Sequence, residues 1–279
     1  MAKIYNLTMT LKARNNFTLI MSSLFLALSM AILVYLLYNL NLLRKGHAIL
    51  SYNMAPKGLS FFQDNLWTLF IEAFLVIIYI PLAAFYIYAR FEKTASNEVA
   101  YFLIFLLGCV PELFRLFIPL ETVQGSYPSL LVFAGRALFW GRTLAFISLF
   151  AASISAAPNK NLNAEQNIFI LLLFSLAIAG AAPINTTKIS PSFNIQTGWT
   201  TFLYLLYGVA AVLTMISYAV NARSNENPLF IRMGVDILCV EAGLLILNSS
   251  AILAAALAGA LLLFVGTFRY FMNLHKAYA

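Results

Sequence analysis

Eight long apolar runs follow one another along this chain, and roughly 20 predominantly apolar residues are what an α-helix needs to cross the hydrocarbon core of a bilayer. They cover Phe17 to Leu43, Leu66 to Tyr88, Val99 to Leu120, Ser129 to Ala151, Asn167 to Ala182, Trp199 to Val220, Leu229 to Leu247 and Ala251 to Phe271. In hydrocarbon the backbone amides must be satisfied within the segment, so each run reads as a helix. The expectation is an all-α, polytopic transmembrane helix bundle of eight spans, forming one integral membrane domain over residues 1–279. The fifth run is short and the seventh contains Arg232, Asp236 and Glu241; losing either would leave seven spans. The first run is longer than the apolar core of a secretory signal and no Ala-x-Ala site follows it, so it reads as a retained span.

Charge supports the membrane reading. Only 10% of residues are charged, where a soluble domain carries about a quarter. The net charge of +7 comes from basic residues scattered over short segments between the runs, a pattern of membrane orientation and not of a nucleic-acid face. With eight spans, Lys3, Lys12, Arg14, Arg90, Lys93, Lys160, Arg223 and Lys276 share one side, against Arg44, Lys45, Lys57 and Lys188 on the other. The bias predicts cytoplasmic N- and C-termini in a plasma (inner) membrane.

A self-comparison at a fixed offset predicts a four-plus-four parallel tandem repeat, with halves at 17–157 and 167–274. Ser60-Phe61, Trp67-Thr68 and Phe70 recur 132 positions later as Ser192-Phe193, Trp199-Thr200 and Phe202. Further on, Cys109-Val110 is echoed by Cys239-Val240, and Leu138-Phe139-x-Gly141 by Leu263-Phe264-x-Gly266. Halves with an even number of spans keep the same orientation, as in parallel-repeat transporters. The two long polar loops, Arg44 to Asn65 and Pro183 to Gly198, then lie on one outer face, either as interfacial Trp anchors or as symmetric lids over a cavity.

Eight charges within the runs are singled out as candidate functional residues: Glu72, Glu112, Arg115, Arg136, Arg142, Arg232, Asp236 and Glu241. A charge at the centre of a spanning helix costs roughly 2.5–3.5 kcal/mol on an insertion scale, so these side chains belong in the bundle interior, in ion pairs or beside water. Gly108, Glu112, Arg115 and Pro119 share a helix face, and Pro111 predicts a kink with an acid beside it. Depth matching predicts a network of Glu112 with Arg115 and Arg136. Arg136 and Arg142 are six residues apart and point in different directions. Arg232 and Asp236, at i and i+4, form an expected internal pair that leaves Glu241 alone. Arg115, Arg136 and Arg142 are the candidates for holding an anion, and Glu72, Glu112, Asp236 and Glu241 for ion pairing or proton coupling.

Several chemistries lack their residues. Both histidines, His47 and His275, lie outside the runs, which removes intramembrane bis-histidine haem and His-dependent zinc or serine catalysis. No run contains lysine for a Schiff base, Asp64 and Asp236 are the only aspartates, and Cys109 and Cys239 have no CxxC spacing. No cofactor or metal and no nucleic acid is expected, and an enzyme is disfavoured. Two readings remain: transport or binding of a small anionic or amphiphilic solute, or a non-catalytic membrane subunit or sensor acting through a partner membrane protein. Membrane lipid is a partner in both.

Overall fold

The computed structural model describes residues 11–42, 45, 66–91, 96–124, 128–156, 163–190, 192–249 and 252–278. Among them are nine α-helices and one short hairpin. The helices are α1 (Leu11–Tyr38), α2 (Leu66–Phe91), α3 (Asn97–Cys109), α4 (Phe117–Gln124), α5 (Pro128–Ser155), α6 (Ala164–Ala181), α7 (Thr200–Ser224), α8 (Leu229–Ser249) and α9 (Leu253–Tyr278). A 3-10 stretch, Val110–Leu116, joins α3 to α4, and strands β1 (Ile184–Ile189) and β2 (Ile195–Thr197) lie between α6 and α7.

Among the described residues, seven stretches are long and apolar enough to cross a membrane: Asn15–Tyr35, Thr68–Phe91, Asn97–Glu121, Ser129–Ser155, Ala164–Ala181, Thr200–Ser224 and Leu253–Ala277. The chain is a multi-pass integral membrane protein. The expected seventh run does form a helix, α8, but with Arg232, Asp236 and Glu241 in its 21 residues it is not one of these seven.

The helices sort into an inner and an outer set. From Val99 to Leu106 every residue of α3 is buried, so this helix is wrapped on all sides by protein. In contrast α6 exposes Phe169, Ile170, Leu173, Phe174 and Leu176, and α7 exposes Phe202, Leu205, Val209, Val212 and Ile216. Against lipid such apolar side chains are in their own medium, and helix association then depends on close packing more than on hydrophobic burial. Glycine supplies that closeness where α3 crosses α5. A Cβ at Gly108 would come 2.7 Å from the Gly141 carbonyl oxygen, and one at Gly141 would come 2.5 Å from that of Gly108. The α8–α9 crossing is built the same way by Gly243 and Gly259, each meeting the other's backbone oxygen.

Pro111 breaks the third run as expected, by winding the backbone into the 3-10 stretch; a proline lacks the donor an α-helical ladder requires. The loop between α6 and α7 is more ordered than a polar lid requires. Its strands pair with Ile184 opposite Thr197 and Asn185 opposite Gln196, then shift register before Ile189 meets Ile195. The Gly198 N–H donates to the Pro183 carbonyl at 2.9 Å and closes its neck. Most of the other long loop, 46–65, lies outside the described residues, so the expected pair of lids is described for one member.

Candidate functional site

Four elements converge on a cavity of about 510 Å³. From α5 come Gly135, Leu138, Phe139, Arg142 and Phe146, at i, i+3, i+4, i+7 and i+11, which is one helix face. Thr200, Leu203, Tyr204 and Tyr207 repeat the spacing on α7, while Leu244, Leu245, Asn248 and Ser249 come from the end of α8. The hairpin supplies Ser190, Ser192, Asn194 and the residues of β2. Phe146 and Tyr207 stack with ring centroids 4.5 Å apart. The walls are thus mainly apolar, with the polar groups gathered near the hairpin.

Arg142 is the cationic residue of that lining. Its Nε and Nη2 donate to the two oxygens of Glu112 at 2.5 and 2.8 Å, the parallel fork a guanidinium makes with a carboxylate. Nη2 also donates to Asn194 Oδ1 at 2.7 Å. The Arg142 side chain stays 22% exposed and its Nη1 has no partner among the described residues, whereas Glu112 behind it is 3% exposed.

A second pair lies deeper. Arg115 Nη2 donates to Glu72 Oε2 at 2.8 Å, with side chains only 3% and 2% exposed. Its Nε donates to the Ser192 carbonyl at 3.1 Å. The hairpin tip is therefore held by both arginines, through Ser192 and through Asn194. Asn194 extends the chain of bonds, donating to Ser192 Oγ at 2.8 Å and to the Asn248 carbonyl at 2.9 Å. One asparagine ties the hairpin to α5 and α8 together.

Three sequence-based pairings are corrected. Glu112 bonds Arg142, not Arg115 and Arg136; the 3-10 winding turns Arg115 toward Glu72, and Arg136 is exposed outside the cavity. As their six-residue spacing implies, Arg136 and Arg142 do point apart. Asp236 does not take Arg232 as its partner. It forms an ion pair with Arg269, Nε lying 3.1 Å from Oδ1, and its Oδ2 accepts from Asn273 at 2.6 Å, because α9 packs alongside and presents both, while Arg232 is exposed. Glu241 is alone as expected: both carboxyl oxygens are buried without a partner among the described residues.

Sequence reasoning missed Asn194, Arg269 and Asn273. Arg269 had a signal, a charge inside the last apolar run; a neutral asparagine in a polar loop had none. Among the described residues no group of three or more His, Cys, Asp or Glu side chains could hold a metal ion, and Cys109 and Cys239 are free thiols.

A protein of Treponema pallidum (strain Nichols) bearing the name "Uncharacterized protein" is 33% identical over 112 residues, 38% of this chain and 31% of that protein. The matched stretch spans less than a third of that relative's length. No protein family profile matches the chain. No solved structure matches it either.

Proposed function

We propose that the chain is a multi-pass transport or solute-binding protein whose cavity takes a small anionic or amphiphilic molecule, Arg142 meeting its anionic head and the apolar walls its body. The observation that carries this reading is the state of Arg142. It lines the cavity with one terminal nitrogen unpartnered among the described residues, and its remaining donors rest on Glu112 and Asn194. An incoming carboxylate or sulfonate competes with Glu112 for the same fork. Two anions on one guanidinium leave an uncompensated charge at the edge of a low-dielectric interior, and Glu112 is the residue proposed to couple the exchange. The expected proton-coupling and anion-holding residues are thus the two ends of one ion pair. Glu241 is the second proton site, on the α8 face that continues through Leu244, Leu245 and Asn248 at i+3, i+4 and i+7. Arg115 is committed to Glu72 and the hairpin, and Arg136 stands away from the cavity.

Thermal unfolding of the detergent-purified protein against a panel of carboxylates, sulfonates, phosphates and amphiphiles tests this reading. A ligand at about 100 times its Kd stabilises the native state by roughly 2.7 kcal/mol. The gain is expected in wild type and in Arg136→Ala, and is expected to vanish in Arg142→Ala. No gain with any compound would favour a non-catalytic subunit or sensor acting through a partner membrane protein. One observation suits that alternative: the inward-facing arginines Arg115 and Arg142 each have a carboxylate of their own.

We further propose that α8 is an eighth span, that the halves 17–157 and 167–274 are tandem repeats, and that both termini face the cytoplasm of a plasma (inner) membrane. What supports the eighth span is the α8–α9 packing at two levels, Gly243 on Gly259 and Gly266 on the Asp236 carbonyl, which keeps both helices at the same depth. The repeat is supported by its matched glycines. Gly141 packs between Gly108 and Pro111, which bracket Cys109-Val110, and Gly266 packs on Cys239 and Val240.

A further inference from the structure

At the end of α8 away from the hairpin, the α8–α9 pair carries two exposed arginines, and with α8 taken as the proposed eighth span their surface faces lipid. Arg269 lies inside the apolar stretch Leu253–Ala277 and its side chain is 58% exposed. Only its Nε is engaged, by the buried Asp236, and its terminal nitrogens have no partner among the described residues. Arg232, one turn before Asp236 on α8, is exposed and likewise has no partner among the described residues. Against the two guanidiniums stands one carboxylate, engaged by Arg269 alone, which leaves this end of the helix pair with a net positive charge. Asn273 donates to the other Asp236 oxygen at 2.6 Å, so both carboxylate oxygens are engaged by α9 and neither by Arg232.

The surroundings set what comes to this charge. Ile231 and Val235 on α8 and Val265 and Phe268 on α9 are exposed, an apolar surface running from the two arginines into the bilayer. Arg269 lies nine residues before the end of α9, about 13 Å along the axis at 1.5 Å per residue. The long arginine side chains reach from this depth toward the interface, so a counter-ion meeting them must carry an anionic head and tolerate an alkyl-lined surface beside it. We propose that Arg232 and Arg269 clamp the phosphate of an anionic phospholipid whose acyl chains lie along this surface. Asp236 and Asn273 act as positioning residues that hold the Arg269 fork facing outward. The site is independent of the cavity, whose α8 lining begins at Leu244, eight residues beyond Asp236.

Native mass spectrometry of the detergent-purified protein, mixed with dioleoyl phosphatidylglycerol or dioleoyl phosphatidylcholine, tests the site with the acyl chains held constant. Selective retention of phosphatidylglycerol is expected, falling about fivefold for each arginine replaced and roughly 25-fold in Arg232→Gln/Arg269→Gln. Equal retention of the two lipids, or retention unchanged in the double variant, overturns the proposal. Millimolar inorganic phosphate is a further arm: if it displaces phosphatidylglycerol, the site belongs to free phosphate and the lipid assignment fails. Should Arg269→Gln unfold because Asp236 loses its partner, Arg232→Gln carries the test alone.

Discussion

Arg115 and Arg142 have nearly the same partners, one carboxylate and one group from the hairpin tip, and burial separates them. Arg115 is 3% exposed and faces a 2% exposed Glu72, so a lost partner leaves its charge no route to water. Removing one member of such a pair costs about 3–5 kcal/mol, because the remaining ion is buried uncompensated. Glu72→Gln is expected to lose stability in that range. Arg142 is 22% exposed toward the cavity and keeps Asn194, so Glu112→Gln is expected to lose roughly half as much. Reversible unfolding in detergent, followed by circular dichroism, checks the order, and a larger loss in Glu112→Gln would contradict the burial argument. The sequence exposed these charges because a charge in an apolar run is costly wherever it points. It left the pairing open, since partners come from other helices: Glu112 found Arg142 thirty residues away, and Asp236 found Arg269 on a helix whose contribution could not be seen from spacing on α8.

Among elements, the helix crossings depend on backbone approach more than on side-chain area. At Gly141 a methyl group would meet the Gly108 carbonyl and Pro111 at once, both fixed atoms. Gly141→Ala must therefore part α3 from α5, and overpacking of this kind costs about 1–3 kcal/mol. Gly180 on α6 and Gly208 on α7 meet nothing within 4 Å. Alanine there is expected to be neutral or to add up to about 1 kcal/mol through helix propensity. Melting temperatures of the three single variants decide it, and equal shifts would remove the distinction between crossing and lipid-facing glycines. The helices themselves were legible from apolar length, and the break in the third run from Pro111. The cavity stripe on α5 was also written in the sequence, as Gly135, Leu138, Phe139, Arg142 and Phe146 at helical spacing, but a stripe does not name the helix that faces it. The hairpin was hidden for another reason. Ile184–Ile189 and Ile195–Thr197 are short and polar, and their order comes from Arg115, Arg142 and Asn248, which grip the tip.

At the scale of the molecule, the number of crossings decides which side each end occupies. Between the hairpin and the end of α9 lie α7, α8 and α9, so three crossings place these two points on opposite sides and two would place them on the same side. In its 21 residues α8 spans about 31 Å at 1.5 Å per residue, close to the roughly 30 Å of a hydrocarbon core. Its charges need not bar it: Asp236 is neutralised by Arg269, Glu241 is inside the bundle, and Arg232 is near the helix end where a long side chain reaches headgroups. The proposed duplication makes the same demand, since α8 has to answer α3 for Cys239 to answer Cys109. Single cysteines at Gln196 and His275, both exposed, placed in a background lacking Cys109 and Cys239, put the count to the test in intact cells. With eight spans and cytoplasmic termini, an impermeant maleimide labels Gln196→Cys before lysis and His275→Cys only after it. Labelling of both before lysis would remove α8 from the spans, and with it the four-plus-four repeat. Labelling of His275→Cys alone would keep eight spans and reverse their orientation, turning the hairpin and the cavity beneath it toward the cytoplasm.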